Sequence, residues 1–424
     1  MKKMVAIILA IAVCVSMLVL PVSAEEQEEN VHSSGAGVLT ETGNDQLPEL
    51  DEDLLSILTD IEALVEKYGP EIPEEVKNGT DKGTTSVYKP NEKSHYVAFG
   101  DDTAYDKGSY VSVLAERYGI SFKNLAKKNM IIGEVDAAYL AANAAEIKKA
   151  DLISIGFSVN GFASVAMEEV LKDKSDTESY IQWDKYLPEE GVKEINDVLA
   201  RMEKYLLDNG MTGTLMGISK SDALVVSAES LAFGTLAFVN ELPRVIDEIR
   251  TINPTAQIVV VGMDNPMENA SIVLSSGDKM ELGIYVDELL KNMDDASQTI
   301  VLEKENAIFV SATHAANAND NQELTENKLI LSYINGVKAD AKPNEEGQKY
   351  IQNRINLALR QNGDVDGDGK VSYNDALMVL RLSIGLAELN EEESAFGDVD
   401  GANGLSYNDA LKILRASIGM DTLE

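Results

Sequence analysis

The sequence predicts an α/β protein: a three-layer domain with a parallel sheet flanked by helices, followed by a small α-helical module. Three observations predict it. Short, continuously apolar strands recur along the chain, long helical patterns separate them, and a segment near the C-terminus is repeated. Strands that are apolar on both faces belong in a sheet covered on both sides, and their alternation with helices indicates parallel pairing.

The strands are His95 to Phe99, ending at Gly100, then Leu152 to Ile155, Ile258 to Gly262 and Ile308 to Ser311. Helical patterns follow at Ser109 to Tyr118, Glu134 to Ala150, Gly161 to Lys172, Glu194 to Asn209, Leu224 to Ile252, Met280 to Met293 and Glu345 to Leu359. An amphipathic helix is also expected over Asp51 to Tyr68, where Leu54, Leu55, Leu58, Ile61, Leu64 and Val65 keep the spacing of one helix face. We expect it to dock on the large domain. It is preceded by an acidic, Gly/Ser/Thr/Asn-rich tether from Glu25 to Leu50 and followed by irregular chain to Ser94 carrying Pro70, Pro73, Pro90, Gly79 and Gly83. The expected organisation is therefore 1–24 leader, 25–94 tether with one helix and linker, 95–360 α/β domain and 363–424 C-terminal module.

Residues 1–24 carry Lys2 and Lys3, an apolar run from Met4 to Leu20 and a Val22-Ser23-Ala24 ending, the pattern of a cleaved secretory signal. An uncleaved anchor needs a longer apolar run, and a lipid attachment at Cys14 lacks the small residue expected before it. Secretion is the expectation. Cys14 is the sole cysteine, so the mature chain has no disulfide and must draw stability from its core and from bound metal. The formal charge of −36, or −38 without the two leader lysines, argues against nucleic acid and anionic membrane as partners.

Gly363 to Leu386 reads GDVDGDGKVSYNDALMVLRLSIGL and Gly397 to Met420 reads GDVDGANGLSYNDALKILRASIGM, with 16 of 24 positions identical at an offset of 34. This is an internal duplication. In the first copy Asp364, Asp366, Asp368 and Asp375 fall at positions 1, 3, 5 and 12 of a twelve-residue loop, Gly369 sits at the sharp turn, Lys370 offers a backbone carbonyl and Ser372 stands at position 9. Hard oxygen donors at this spacing wrap one Ca2+ ion. The second loop keeps Asp398, Asp400, Gly404, Ser406 and Asp409 but has Ala402 at position 5 and Asn403 at the turn. With one carboxylate fewer it is expected to be the weaker calcium site.

Paired loop-helix units ending in NDAL-x-x-LR resemble the type I dockerin family. The resemblance covers the last sixty or so residues. It implies calcium-dependent binding to a cohesin module of a scaffoldin, within an extracellular polysaccharide-degrading assembly. It places partner contacts at Tyr373, Asn374, Leu377 and Arg381 and, in the second copy, at Tyr407, Asn408, Leu411 and Arg415. Since these match between copies, the module is expected to bind in either of two rotated orientations. The same residues also serve helix capping and packing.

The segment HYVAFGDDTAYDKGSYVSVLAERYG, His95 to Gly119, resembles the first block of the SGNH/GDSL esterase family, a flavodoxin-like α/β fold. Asn124-Leu125-Ala126, ADLISIGFSVNG at Ala150 to Gly161 and ADAKPNEEGQKYI at Ala339 to Ile351 are similar to its later blocks. By this resemblance Asp102 stands at the nucleophilic serine position and Lys342 at the histidine position. Asn129 stands where the oxyanion glycine would be, and Asn160 is kept. Asp340 lies near the acid position, with Ala339 at its usual spacing. Acyl transfer by this family needs a serine, a base and oxyanion donors.

Two readings follow. One is a binding or structural SGNH-like domain without serine-histidine catalysis, carried by a dockerin. The other is a carbohydrate esterase or deacetylase with a rearranged site using Ser158 or Ser109 and His314. An Asp102 to Lys342 ion pair is expected at the vacated positions. A plant-polysaccharide ligand at the cleft above Asn160 is a further expectation, although aromatic content is only 6% and Trp183 is the sole tryptophan.

Overall fold

The structure is a computed structural model that describes residues 52–68, 76, 93–128, 130–158, 181–208, 212–215, 218–266, 268–269, 271–273, 279–281, 283–316, 323–325, 342–400 and 404–423. The expected leader and tether, most of the linker and the helix at 161–172 lie outside the described residues.

Five parallel strands form the central sheet: β1 His95–Gly100, β2 Ser121–Asn124, β3 Leu152–Gly156, β4 Gln257–Val261 and β5 Ala307–Val310. Their order is β2-β1-β3-β4-β5, with Phe99 paired to Ile155 and Ile155 to Val260. Every residue of β3 and β4 is buried, which is why these stretches read as unbroken apolar runs. Alternate residues point to opposite faces and so build two cores. One packs Val97, Phe99, Ile153, Ile155, Ile258 and Val260 against the helices α4 Ala137–Ile147, α6 Lys220–Ile252 and α7 Gly283–Leu302. The other packs Tyr96, Ala98, Val259, Val261, Ile308 and Val310 against α3 Tyr110–Tyr118 and α8 Glu345–Leu359. Helices on both faces of a parallel sheet make the three layers.

Several boundaries differ from expectation for local reasons. Helix α4 begins at Ala137 rather than Glu134 because a 3-10 turn occupies Ile132–Glu134 and the Asp136 carboxylate accepts the Tyr139 N–H at 2.7 Å as the helix cap. Met280 lies in a short strand, Lys279–Glu281, antiparallel to Ser271–Val273, and the helix expected over Met280 to Met293 instead runs over α7. The helix expected from Glu194 begins at Glu189 and ends at Asp208 (α5).

The N-terminal amphipathic helix is present as α1, Glu52–Tyr68. It lies on α5, where Lys67 bonds the Glu194 carboxylate at 2.9 Å and Arg201 bonds Asp60 at 2.5 Å, with Ile57 buried. The ion pairs lie in water and fix orientation more than they stabilise. Among the described residues no helix is long and apolar enough to cross a membrane.

The C-terminal module consists of α9 Tyr373–Ser383, α10 Glu391–Gly397 and α11 Tyr407–Ser417. Its core is small: Val365, Ala376, Val379, Ala410 and Ile413, closed over by Val371, Leu389, Leu405 and Leu423. A core of this size is marginal without further ties, which is the usual case for small modules that bind metal.

Candidate functional site

In a sheet ordered 2-1-3-4-5 the chain reverses winding between β1 and β3, and ligands of such sheets sit in the crevice beyond the carboxyl ends of those strands. Strand β1 ends in Gly100 and delivers Asp101 and Asp102 to this crevice; β3 ends in Gly156 and delivers Phe157 and Ser158. Both glycines answer to crowding. A Cβ on Gly100 would meet the Gly156 carbonyl oxygen, and one on Gly156 would lie 2.5 Å from the Tyr110 hydroxyl. Only backbone fits there.

Asp101 is fully buried and bridges the crevice. Its Oδ2 accepts the Ser158 N–H at 2.8 Å and the Ser158 hydroxyl at 2.7 Å, and its Oδ1 accepts the Thr103 N–H at 3.1 Å. Burial pushes its pKa up to about 6 against the pull of those donors. Asp102, also buried, opens the short helix α2 Asp102–Tyr105 at the position the resemblance assigns to a serine nucleophile. Where an Asp102 to Lys342 ion pair is expected, one partner of the ammonium is a neighbouring carboxylate. The Lys342 ammonium bonds Asp106, four residues further on, just past the end of α2. Asp106 is the more exposed of the two carboxylates, so this pair costs little desolvation. The element after Lys342 is firmly anchored. The Asn344 side chain caps α8, while Gln348 accepts the Tyr110 N–H at 2.6 Å and donates to the Thr103 carbonyl at 3.1 Å.

The serines and histidine of the rearranged-esterase reading have separate partners. Ser158 is bonded to Asp101, Ser109 donates to the Ala104 carbonyl at 2.8 Å, and the exposed His314 ring meets Glu268 at 2.7 Å. His95 bridges Ser121 and Glu146 at the opposite end of β1. Asn129, Asn160, Ala339 and Asp340 lie outside the described residues. A half-buried acid that the sequence did not single out sits at the ends of β4 and β5. Burial raises the Asp294 carboxyl to about 7, it accepts from Thr313 at 3.2 Å, and a Cβ on Gly262 would come within 2.6 Å of it.

The two C-terminal loops are built alike. Asp375, fully buried, accepts the Val365 and Asp366 N–H groups at 2.7 and 3.0 Å on one oxygen and the Ser372 N–H and hydroxyl at 2.7 and 2.8 Å on the other. Thirty-four residues on, Asp409 does the same with Val399, Asp400 and Ser406. Ser372 and Ser406 each cap the following helix in a reciprocal box with these aspartates. Gly369 takes φ +85°, as the turn at position 6 requires. Within each loop three carboxylates converge: Asp364, Asp366 and Asp368 in the first, Asp398, Asp400 and Asp409 in the second, with one oxygen of each mutually within 4.8 Å.

Such a cluster is repulsive unless a cation or protons neutralise it. Burial and the neighbouring Asp375 push Asp364 up to about 7 and raise Asp366 as well. Asp364 Oδ1 and Asp398 Oδ1, at position 1 of the two loops, are buried and have no hydrogen-bond partner among the described residues. Leaving such an oxygen unsatisfied costs on the order of 1–3 kcal/mol, and a hard divalent cation held by oxygen ligands would remove that cost. The donor set therefore fits calcium. Ala402 and Asn403 lie outside the described residues.

Helices α9 and α11 carry matched exposed apolar side chains. Tyr373 and Tyr407 are 65% and 64% exposed, and Ile384 and Ile418 60% and 64%. Leu380 pairs in the same way with Leu414, and Leu386 with Met420. Of the expected partner contacts, Tyr373, Asn374, Arg381, Tyr407, Asn408, Leu411 and Arg415 are exposed and Leu377 is half-buried. Leu380, Leu414 and the apolar residues just past the helix ends are additional to that expectation, although the same offset marks them.

No family model and no curated protein matches this chain. Solved structures similar to it include a lipase from a goat rumen metagenome, at 14% identity over 62% of this chain and 97% of that one, with a TM-score of 0.32. An extracellular lipase from Streptomyces rimosus matches at 16% identity over 58% and 100%, with a TM-score of 0.30. A catalytic mutant of an acetylxylan esterase from Geobacillus stearothermophilus matches at 11% identity over 66% and 96%, with a TM-score of 0.30. Scores this low leave the chemistry of the α/β domain to its own residues.

Proposed function

We propose that this chain is a secreted component of an extracellular assembly: its C-terminal module binds two calcium ions and docks, calcium-dependently, on a cohesin module of a scaffoldin. The α/β domain is its cargo and acts by binding or as structure rather than by serine-histidine catalysis. The observation that carries the reading is the pair of buried, unsatisfied carboxylate oxygens at position 1 of two loops related by an offset of 34, each followed by a helix with an exposed apolar stripe. Matched exposure of the two stripes supports docking in either of two orientations. Large exposed apolar residues in a small module are the usual mark of a protein interface.

The non-catalytic reading of the cargo rests on the vacated positions. A carboxylate stands at the end of β1 where a nucleophile is needed, an ammonium paired to Asp106 stands where a base is needed, and the Ser158 hydroxyl in the crevice donates to Asp101. Asp102 has no hydroxyl to act as a nucleophile, and the Lys342 ammonium is engaged with the Asp106 carboxylate.

Two measurements test the two halves. Purified full-length chain should bind immobilised cohesin modules in calcium and be released by chelator; failure against a broad cohesin panel in calcium would overturn the docking half. Acetyl-ester hydrolysis by the same preparation should stay at the buffer rate; turnover abolished by Ser158→Ala or His314→Ala would establish the esterase reading instead.

A further inference from the structure

We propose that the first calcium loop is a metal-dependent latch that fastens the C-terminal module to the α/β domain through Arg117 and Arg360. The proposal deepens the calcium reading and rests on it. Arg117 projects from the last turn of α3 and donates from Nε and Nη2 to the carbonyl of Gly367 at 2.8 and 2.5 Å. Its Nη1 reaches Asn353 on α8 at 3.5 Å. Arg360, at the end of α8, donates to the Asp364 carbonyl at 2.5 Å and to the Val365 carbonyl, and stacks on Phe396 4.4 Å from the ring centre. Two guanidinium groups from the α/β domain thus hold three carbonyls of one loop, those of positions 1, 2 and 4.

The chemistry links these bonds to the ion. Asp364, Asp366 and Asp368 converge at positions 1, 3 and 5 of the same stretch of backbone. Without a cation their mutual repulsion drives the stretch open, which moves the carbonyls away from the arginines. With calcium bound, the loop closes and presents those carbonyls outward. Space is tight on that side: a Cβ on Gly367 would lie 3.0 Å from Arg117 and 3.2 Å from Asn356, and the glycine takes φ +68°. Because the linkage is reciprocal, losing the docking bonds at unchanged charge must weaken calcium binding at this loop. Removing the arginine charge as well would by itself favour the cation, so the test keeps the charge.

Arg117→Lys keeps the charge but not the two-pronged donor geometry. Calcium titration of full-length wild type and variant by calorimetry should give a first site about five-fold weaker in the variant. Hydrogen exchange at 114–118 and 353–360 should slow on adding calcium to wild type and respond much less in the variant. Calcium binding with equal first-site affinity in both proteins would overturn the latch while leaving the calcium reading intact. A wild type that binds no calcium would overturn both.

Discussion

The buried carboxylate of Asp101 accepts both the backbone N–H and the hydroxyl of Ser158, at 2.8 and 2.7 Å. This pair ties the end of β1 to the end of β3 across the crevice in which an α/β sheet of this order binds its ligand. Charged hydrogen bonds of this kind contribute roughly 1.5–3 kcal/mol each. Asp101→Ala should therefore lower unfolding free energy by about 3 kcal/mol in urea titrations; a change below 1 kcal/mol would show that the bridge is dispensable.

The same group makes a pH prediction. Its pKa is raised by burial, from 3.8 unfolded to about 6 folded. Between these values the folded chain holds a proton that the unfolded chain has lost, so stability falls as pH rises. The associated contribution is present below pH 3.8 and lost as pH rises through 6, a difference of about 3 kcal/mol at 1.36 kcal/mol per pKa unit. Wild type should lose most of that relative to Asp101→Asn between pH 4 and pH 7. Parallel stability curves for the two proteins would refute the assignment.

Gly156→Ala should be costly because its Cβ would fall 2.5 Å from the Tyr110 hydroxyl, itself buried beside Ser154. Overpacking of this sort costs about 1–3 kcal/mol. By contrast, Lys342→Met removes a partly exposed pair with Asp106 and should shift stability by less than about 1 kcal/mol. The two variants compared by thermal unfolding test whether the Lys342 contact is structural cement or a surface pair.

Strands β1, β3, β4 and β5 and helix α8 were readable from the sequence because each buries apolar residues at its own period. Strand β2 was not: Ser121, Phe122 and Lys123 are exposed, and the strand exists because its backbone continues the sheet beside β1. The two aspartate loops were readable residue by residue, since the carboxylates that converge in each are local in sequence. What was hidden is long-range. Asp101 looked incidental beside Asp102 until Ser158, 57 residues away, came alongside. Arg117 carried no motif at all and meets Gly367 only in the folded chain.

Matched stripes on α9 and α11 predict an unusual mutational pattern. Replacing Tyr373 and Asn374 by alanine should remove one of two binding orientations and weaken cohesin binding only about two-fold, or about 0.4 kcal/mol. Replacing Tyr407 and Asn408 as well should weaken it by at least a hundred-fold. A large loss from the first pair alone, read by surface binding kinetics, would show a single orientation.

On the proposed function, the duplicated C-terminal segment is a docking module built around calcium. The most direct measurement is the calcium stoichiometry of the chelator-stripped full-length chain at neutral pH. Two saturable sites are predicted, with the second weaker because Asp398, Asp400 and Asp409 lack a counterpart to Asp368. Asp364→Ala should remove the tighter one. A chain that binds no calcium, or one whose binding survives alanine at both Asp364 and Asp398, would contradict the account.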